Sequence, residues 1–246
     1  MKESLLPKLV VLTGAGVSAE SGISTFRDSG GLWDKYPVMD VASHDGFVRN
    51  PSLVHQFYNT RRRELVGVEP NAAHRGLAEL ERFYNVTVIT QNVDNLHERG
   101  GSTDVLHLHG ELMKVRSMRD ESRIYTLPDP SLSTPDADGD PLATTPNTRD
   151  SYGDPVRPHI VFFQEAVPNI EPAVEIMEEA DIVVIIGTSM AVYPAAGLVN
   201  YVRRGIPIYY IDPNPAPVPD WITVIREPAT KGVETLTEIL RPKLQN

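Results

Sequence analysis

VLTGAGVSAESGISTFRD, residues 11–28, opens as an apolar strand and turns into a loop of small residues. Gly14-Ala15-Gly16-Val17-Ser18-Ala19 has the G-x-G-x-x-A spacing of a dinucleotide phosphate loop. Without side chains in the way, backbone N–H groups at a helix N-terminus can approach a pyrophosphate. Alone, the pattern leaves open whether a nucleotide is merely held, used as a hydride carrier, or cleaved.

Further apolar runs punctuated by polar turns predict a mostly parallel sheet: residues 9–12, 86–89, 105–108, 182–186 and 206–211, with 222–225 as a sixth candidate. Helical patterns lie between them. In NAAHRGLAELERF, Asn71 caps and Leu77, Leu80 and Phe83 share a face; in PAVEIMEEA, Val174, Met177 and Ala180 do. This alternation predicts an α/β fold, a doubly wound, Rossmann-like parallel sheet, with a smaller domain formed by two insertions. The expected division is 1–34, 76–112 and 157–246 for the nucleotide-binding domain, 35–75 for a helical insertion, and 113–156 for a second insertion. The second insertion belongs to a stretch with seven prolines between Pro128 and Pro158 and many aspartates. A structureless loop of that length is unusual, so a small ordered module or a lid is expected.

Composition narrows the function classes. With 246 residues the chain can bury one sizeable core. A formal charge of -10 repels a nucleic-acid backbone unless basic residues gather on one face. The one dense basic cluster, Arg61-Arg62-Arg63, reads as a solvated helix face. The absence of cysteine excludes disulfides, thiolate nucleophiles and thiolate zinc sites. No apolar run reaches the roughly 20 residues that span a bilayer, so neither a membrane nor a nucleic-acid partner is expected, and a cytoplasmic monomer is the default.

Ligands of open parallel sheets bind beyond the carboxyl ends of the strands. After the Gly14 loop, those ends carry Thr90-Gln91-Asn92-Val93-Asp94-Asn95-Leu96-His97, His107-Leu108-His109-Gly110-Glu111, Gly187-Thr188-Ser189 and Asp212-Pro213-Asn214. Five ends with compatible polar groups are less expected by chance than one. Each residue keeps a bland alternative: Asn92 and Asp94 as helix caps, His109 as a satisfied structural histidine, Thr188 and Ser189 as turn residues.

Together the motifs closely resemble the sirtuins. The resemblance rests on Gly14-Ala15-Gly16-Val17-Ser18, the SGISTFR run ending at Arg27, Gln91-Asn92-Val93-Asp94, His109-Gly110, Arg157-Pro158-His159 and Gly187-Thr188-Ser189, in order along nearly the whole chain. It implies that NAD is consumed: the acyl group of a modified lysine passes to ADP-ribose, releasing nicotinamide, free lysine and O-acyl-ADP-ribose. By that likeness Gly14, Ala15, Gly16, Ser18 and Ala19 serve the pyrophosphate, and Gly187, Thr188, Ser189 and Asn214 the phosphate, ribose or adenosine. Phe26 and Arg27 lie beside the nicotinamide ribose, Gln91 on the ribose, and Asn92 and Asp94 in the nicotinamide pocket. His109 is the general base, Asn92 shares the catalytic centre, and Val161 and Phe163 meet the acylated-lysine peptide. An imidazole with an ordinary pKa of about 6.5 suits proton removal from a sugar hydroxyl near neutrality.

Tyr58 and Arg61, at i and i+3 of FYNTRRREL, share one side of a helix. Spacing alone makes them a basic helix face; the resemblance makes them the pair of the sirtuin subclass that takes malonyl, succinyl or glutaryl lysine. Arginine grips a carboxylate through two charge-assisted hydrogen bonds and the phenol adds one. An acetyl group offers that guanidinium no carboxylate, a penalty on the order of a few kcal/mol.

The chain departs from the resemblance twice. Most sirtuins carry four zinc cysteines between the His-Gly and Arg-Pro-His motifs; here there are none, and Lys114–Asp120 stands where the first pair would begin. Asp136, Asp138 and Asp140 remain, but a carboxylate-only tetrahedral zinc site would be unusual, so no metal and an insertion held by local packing are expected. Second, Gln164 in Val161-Phe162-Phe163-Gln164-Glu165 stands where the family has glycine, which matters only if a positive φ is needed there. The competing functions are an ADP-ribosyltransferase and an idle NAD or ADP-ribose sensor. A dehydrogenase fits less well, because Gln91 and Asn92 occupy the strand end where an acid would grip the adenine ribose.

Overall fold

The computed structural model describes residues 6–23, 36–135, 139–190 and 193–241. Leu9 and Val11 face one side of the first strand, Val10 and Leu12 the other, and all four are buried in two separate apolar clusters. A strand buried on both faces must be central, and it is. β1 (Lys8–Thr13), β2 (Asn85–Thr90) and β3 (Val105–His107) join β7 (Ile182–Ile186), β8 (Ile208–Ile211) and β9 (Thr223–Ile225) in the order β3-β2-β1-β7-β8-β9. Every pairing is parallel. The chain moves from β1 to β2 on one side and later returns to β7 on the other, so the strand order switches between β1 and β7, the place where ligands of such sheets bind.

The helices that cover the sheet follow from local chemistry. On one face lie α5 (Ala72–Leu80) and α8 (Ala229–Leu240), supplying Leu77, Leu80, Val233 and Leu236. Asn71 caps α5 as expected: its Oδ1 accepts from Ala73 and His74, and His74 returns a contact to the Asn71 N–H. Phe83 departs from expectation. The helix stops at Leu80, whose carbonyl accepts from both Phe83 and Tyr84, and Tyr84 turns to the core while Phe83 stays 40% exposed. The other face takes α7 (Ile170–Glu179) with Ala173, Met177 and the following Ala180 buried. Two glycines at the crevice are needed for loop packing rather than for ligand approach alone. A Cβ on Gly16 would sit 2.6 Å from the Gly187 Cα, and Gly187 itself has φ +60.

The second unit combines α2 (Val38–Val41), α3 (His44–Arg49) and α4 (Pro51–Val66) with β4 (Gly110–Ser117), β5 (Ile124–Thr126) and β6 (Val156–Ile160), the strands ordered β5-β4-β6. The boundary drawn at 75/76 falls inside α5, and that at 112/113 inside β4. The described residues of 113–156 form an ordered module whose apolar patch is small: Val115, Leu127 and Val156, with Tyr125, Leu132 and Leu142 against them.

Local packing therefore gives only part of the account, and a guanidinium supplies much of the rest. Arg123 reaches Asp150 (3.0 Å), Asp154, Asp120 (3.5 Å) and Ser117 Oγ (3.0 Å), and lies 4.4 Å from the Tyr152 ring centre. Asp150 in turn accepts from the N–H groups of Tyr152 and Asp154 and from Tyr125. One fixed fork thus ties the end of β4 to the turn before β6, a task that suits planar arginine better than lysine. Arg123→Met is expected to lower the thermal midpoint, while a strong chelator leaves the wild-type midpoint unchanged. Stoichiometric zinc in purified protein, or a chelator-sensitive midpoint, would count against this.

Candidate active site

Beyond the sheet's carboxyl edge the expected loops meet. Gly16 N–H donates to Gly187 O (2.8 Å) and Gly14 N–H to Ile186 O (3.0 Å), holding the two glycine loops together. Gln91 Nε2 donates to Thr188 Oγ1 (3.1 Å), joining the loop after β2 to the loop after β7. Ser18 Oγ donates to Asp94 Oδ2 (3.1 Å) and accepts from Asn92 Nδ2 (3.1 Å). Buried Asp94 also accepts from Leu96 N–H (3.1 Å), the first residue of α6 (Leu96–Gly100). Burial raises its pKa, partly opposed by those hydrogen bonds.

His109 is held at one nitrogen: Nδ1 donates to Gln91 O (2.9 Å), which leaves Nε2 as the lone-pair nitrogen. Burial lowers its pKa below the ordinary value, opposed by that hydrogen bond, which favours the neutral ring at pH 7. Gly110 has φ +83, and a Cβ there would meet His159 O at 2.1 Å; only glycine lets β4 leave His109 in this direction. Val161 N–H donates to His109 O (2.9 Å), fixing the neighbouring strand against the histidine.

A buried polar ladder beneath these groups escaped the motif reading. Thr13 Oγ1 donates to Thr90 Oγ1 (2.8 Å) and faces His97 Nε2 (3.0 Å), and Thr90 Oγ1 accepts from Asn92 N–H (3.0 Å). His107 joins Asn92 O (3.0 Å) to Glu98 (2.7 Å). Glu98, His107 and Glu111 bring their ligand atoms within 4.8 Å, the one such group among the described residues. Its charges are already matched by the His107–Glu98 and Lys114–Glu111 pairs. The spacing of His107 and His109 gives no signal that the first joins Asn92 O to Glu98 while the second bonds Gln91 O.

Other expected residues fall less centrally. Ala19 is exposed at the end of α1 (Gly16–Ala19) and Asn214 is exposed in a turn closed by its N–H to Asp212 (2.8 Å). Ser189 is half-buried beside Thr188, whose carbonyl accepts from Tyr210 (2.9 Å). Phe26, Arg27, Asp136 and Asp138 lie outside the described residues. Phe163 is 47% exposed, and both its backbone groups are engaged: its N–H donates to Ala42 O (2.8 Å) and its carbonyl accepts from His44 N–H (3.0 Å).

The basic triplet on α4 is not a solvated face. Arg62 is fully buried, Arg61 is half-buried, and only Arg63 extends outward, to Asp140 (2.8 Å). Tyr58, 3% exposed, stacks on Phe162 at 5.9 Å and belongs to an apolar cluster that includes Leu96, Leu112 and Val93. Burial raises the Tyr58 pKa, keeping the phenol a donor, and Arg61 is the strongest charge acting on it. The Arg61 guanidinium lies 5.9 Å from the Phe57 ring centre.

Gln164 does adopt the left-handed region, φ +77. A non-glycine residue there is strained by about 1–2 kcal/mol. Its side chain offsets this by accepting from Asp45 N–H (3.1 Å) and donating to Asp45 Oδ2 (2.9 Å). Glu165 beside it is gripped by Arg157, whose guanidinium stacks 4.1 Å from the Phe162 ring centre.

A six-stranded parallel sheet with glycine loops closing at its switch point, and His109 held on the Gln91 loop beside them, is the architecture of a Rossmann-type nucleotide site. The family is then set by comparison. Residues 14–194 match the Sir2 family, and the chain belongs to it. It is 54% identical over 241 residues to an NAD-dependent protein deacylase of Bacteroides thetaiotaomicron, covering 96% of this chain and 99% of that protein. A deacylase of the same name from Helicobacter pylori is 46% identical over 233 residues, covering 94% and 96%. Among solved structures, a Sir2 homologue in complex with NAD superposes with a TM-score of 0.79 at 36% identity, covering 95% of this chain and 89% of that one. A Sir2 complex with deacetylated p53 peptide and an acetyl ADP-ribose gives 0.74 at 30% identity, covering 97% and 94%. Among the described residues, no helix is long and apolar enough to cross a membrane.

Proposed function

We propose that this Sir2-family chain is an NAD-dependent protein-lysine deacylase whose acyl pocket favours succinyl and malonyl groups over acetyl. The observation that carries the acyl preference is the burial of Tyr58 beside Arg61 on α4, in one apolar cluster with Leu112 and Phe162. A phenol donor and a guanidinium in an apolar channel suit a carboxylate, to which arginine gives a bidentate, charge-assisted contact.

The crevice suits NAD. Gly14, Ala15, Gly16 and Ser18 form a cradle where an added Cβ on Gly14 or Gly16 would clash with Gly187, and helix α1 starts there. We assign these residues to the pyrophosphate, with Gly187, Thr188, Ser189 and Asn214 on phosphate, ribose or adenosine. Gln91 is assigned to the ribose and Asn92 and Asp94 to the nicotinamide pocket. When bound, NAD supplies a ribose carbon that loses nicotinamide as a neutral leaving group. The chain's own work is to align the acyl oxygen with that carbon, keep water out, and take a proton from a sugar hydroxyl at His109 Nε2. Val161 and Phe163 border the peptide. The division into a nucleotide-binding unit, an acyl-pocket helix and a metal-free module is part of the same proposal.

Matched acetyl, succinyl and malonyl peptides incubated with NAD and followed by mass spectrometry test the proposal. The expected result is peptide deacylation matched by nicotinamide release, fastest with the acidic acyl groups. Nicotinamide release with ADP-ribose on protein and no deacylation would favour a transferase, and NADH formation or no turnover would end the deacylase reading.

A further inference from the structure

Helix α4 carries two chemically distinct stripes. Tyr58 lies on the one that packs with Val54, Phe57 and Leu65, and Arg61 on the same stripe reaches over the Phe57 ring at 5.9 Å. His55, Asn59 and Arg62 recur at i, i+4 and i+7, roughly a quarter turn away at about 100° per residue. All three are buried, and all three converge on Thr144 of the insertion, itself fully buried.

The junction uses every polar atom of Thr144. His55 Nδ1 and Arg62 Nη1 meet its Oγ1 (2.9 and 3.2 Å), Asn59 Nδ2 donates to its carbonyl (2.9 Å), and its N–H donates to Asn59 Oδ1 (3.0 Å). Arg62 Nη1 also donates to Asn59 Oδ1 (2.8 Å), so the donors and acceptors are ordered around one residue. Burial brings the Arg62 pKa down to about 10 and that of His55 down to about 3, so His55 is neutral here. Arg62 Nη2 has no hydrogen-bond partner among the described residues, a poor choice if stability alone were served. From Arg62 the connection continues: Nε donates to Leu112 O (2.8 Å), and Leu112 N–H donates to Val93 O (2.7 Å) in the loop of Asn92 and Asp94.

We propose that His55, Asn59 and Arg62, acting through Thr144, are positioning residues for acyl selectivity: the insertion fixes the rotation of α4 and thereby the direction of Tyr58 and Arg61. This rests on the acidic-acyl reading above. A roll of about 10° moves a side-chain tip about 6 Å from the helix axis by roughly 1 Å, and misplacement on that scale weakens a directional contact severely. An acetyl group has no carboxylate to lose, so selectivity, rather than turnover in general, is what the junction controls.

The test is Thr144→Val, near-isosteric, which removes the Oγ1 contacts but keeps both main-chain bonds to Asn59. kcat/KM on succinyl peptide is expected to fall about tenfold, chiefly through KM, with acetyl peptide within about twofold. Thr144→Ser is expected to restore the wild-type ratio, and His55→Leu to move the ratio in the same direction as Thr144→Val. An equal fall on both substrates, or no change on either, overturns the inference. Arg61→Met and Tyr58→Phe run in parallel separate the two claims. If they leave the succinyl-to-acetyl ratio unmoved, the acidic-acyl reading fails and the inference with it. If they collapse the ratio while Thr144→Val and His55→Leu do not, only the positioning role fails.

Discussion

His109→Ala is expected to abolish NAD-dependent deacylation, with a loss above about 10²-fold as befits removal of a general base, while folding stays largely intact. The ring is half-buried and makes one hydrogen bond, to Gln91 O, so its loss leaves a carbonyl that water can reach. Burial lowers the His109 pKa; its neutral, proton-accepting form therefore persists below the ordinary value of about 6.5. The sign follows: wild-type kcat/KM should hold steady as pH falls from 7.5 and decline only below about 6.5. Peptide mass, nicotinamide release and the thermal midpoint, measured on wild type and variant, check all parts. Substantial turnover by the variant would remove His109 from the mechanism.

Arg61→Met is expected to lower kcat/KM on succinyl peptide by roughly 10²-fold and on acetyl peptide by less than about threefold. The estimate follows from a charge-assisted, partly buried carboxylate contact of about 2–5 kcal/mol, taken at its lower end because the substrate carboxylate keeps some solvation. Methionine preserves much of the apolar stem that packs along α4, so a general collapse is not anticipated. Competition assays with both peptides in one tube give the ratio directly. Equal losses on the two substrates would make Arg61 a structural residue and return the acyl preference to open ground.

The nucleotide-binding half of the molecule was legible because its signals are local. Apolar runs of strand length between helical patterns predict a parallel sheet, and small residues after the first and fourth strands of that sheet predict loops that approach closely. Asn71 announced its cap in the same way. Phe83 escapes the helical pattern because a period of three or four residues does not say where a helix stops; the Leu80 carbonyl and the packing of Tyr84 against the core decide that.

The acyl side was far less legible. Three consecutive arginines look alike in sequence, yet one faces an apolar cluster, one is sealed against Thr144, and one pairs with Asp140. The last two fates depend on Thr144 and Asp140, about 80 residues away on a segment with no motif of its own. Gln164 is similar: its left-handed backbone is offset by Asp45, 119 residues earlier in the chain.

By itself, the sequence determined the Rossmann-like sheet, the set of loops at its carboxyl edge and the absence of any thiolate metal site, since each follows from residue type, short-range spacing or a simple count. Only the tertiary structure decided which carbonyl each of His107 and His109 bonds, which arginine is buried, and how Arg123 and Thr144 hold a cysteine-free insertion. The physical reason is that burial and hydrogen-bond direction belong to pairs of groups brought together by folding, and a pair distant along the chain leaves no local trace in either partner.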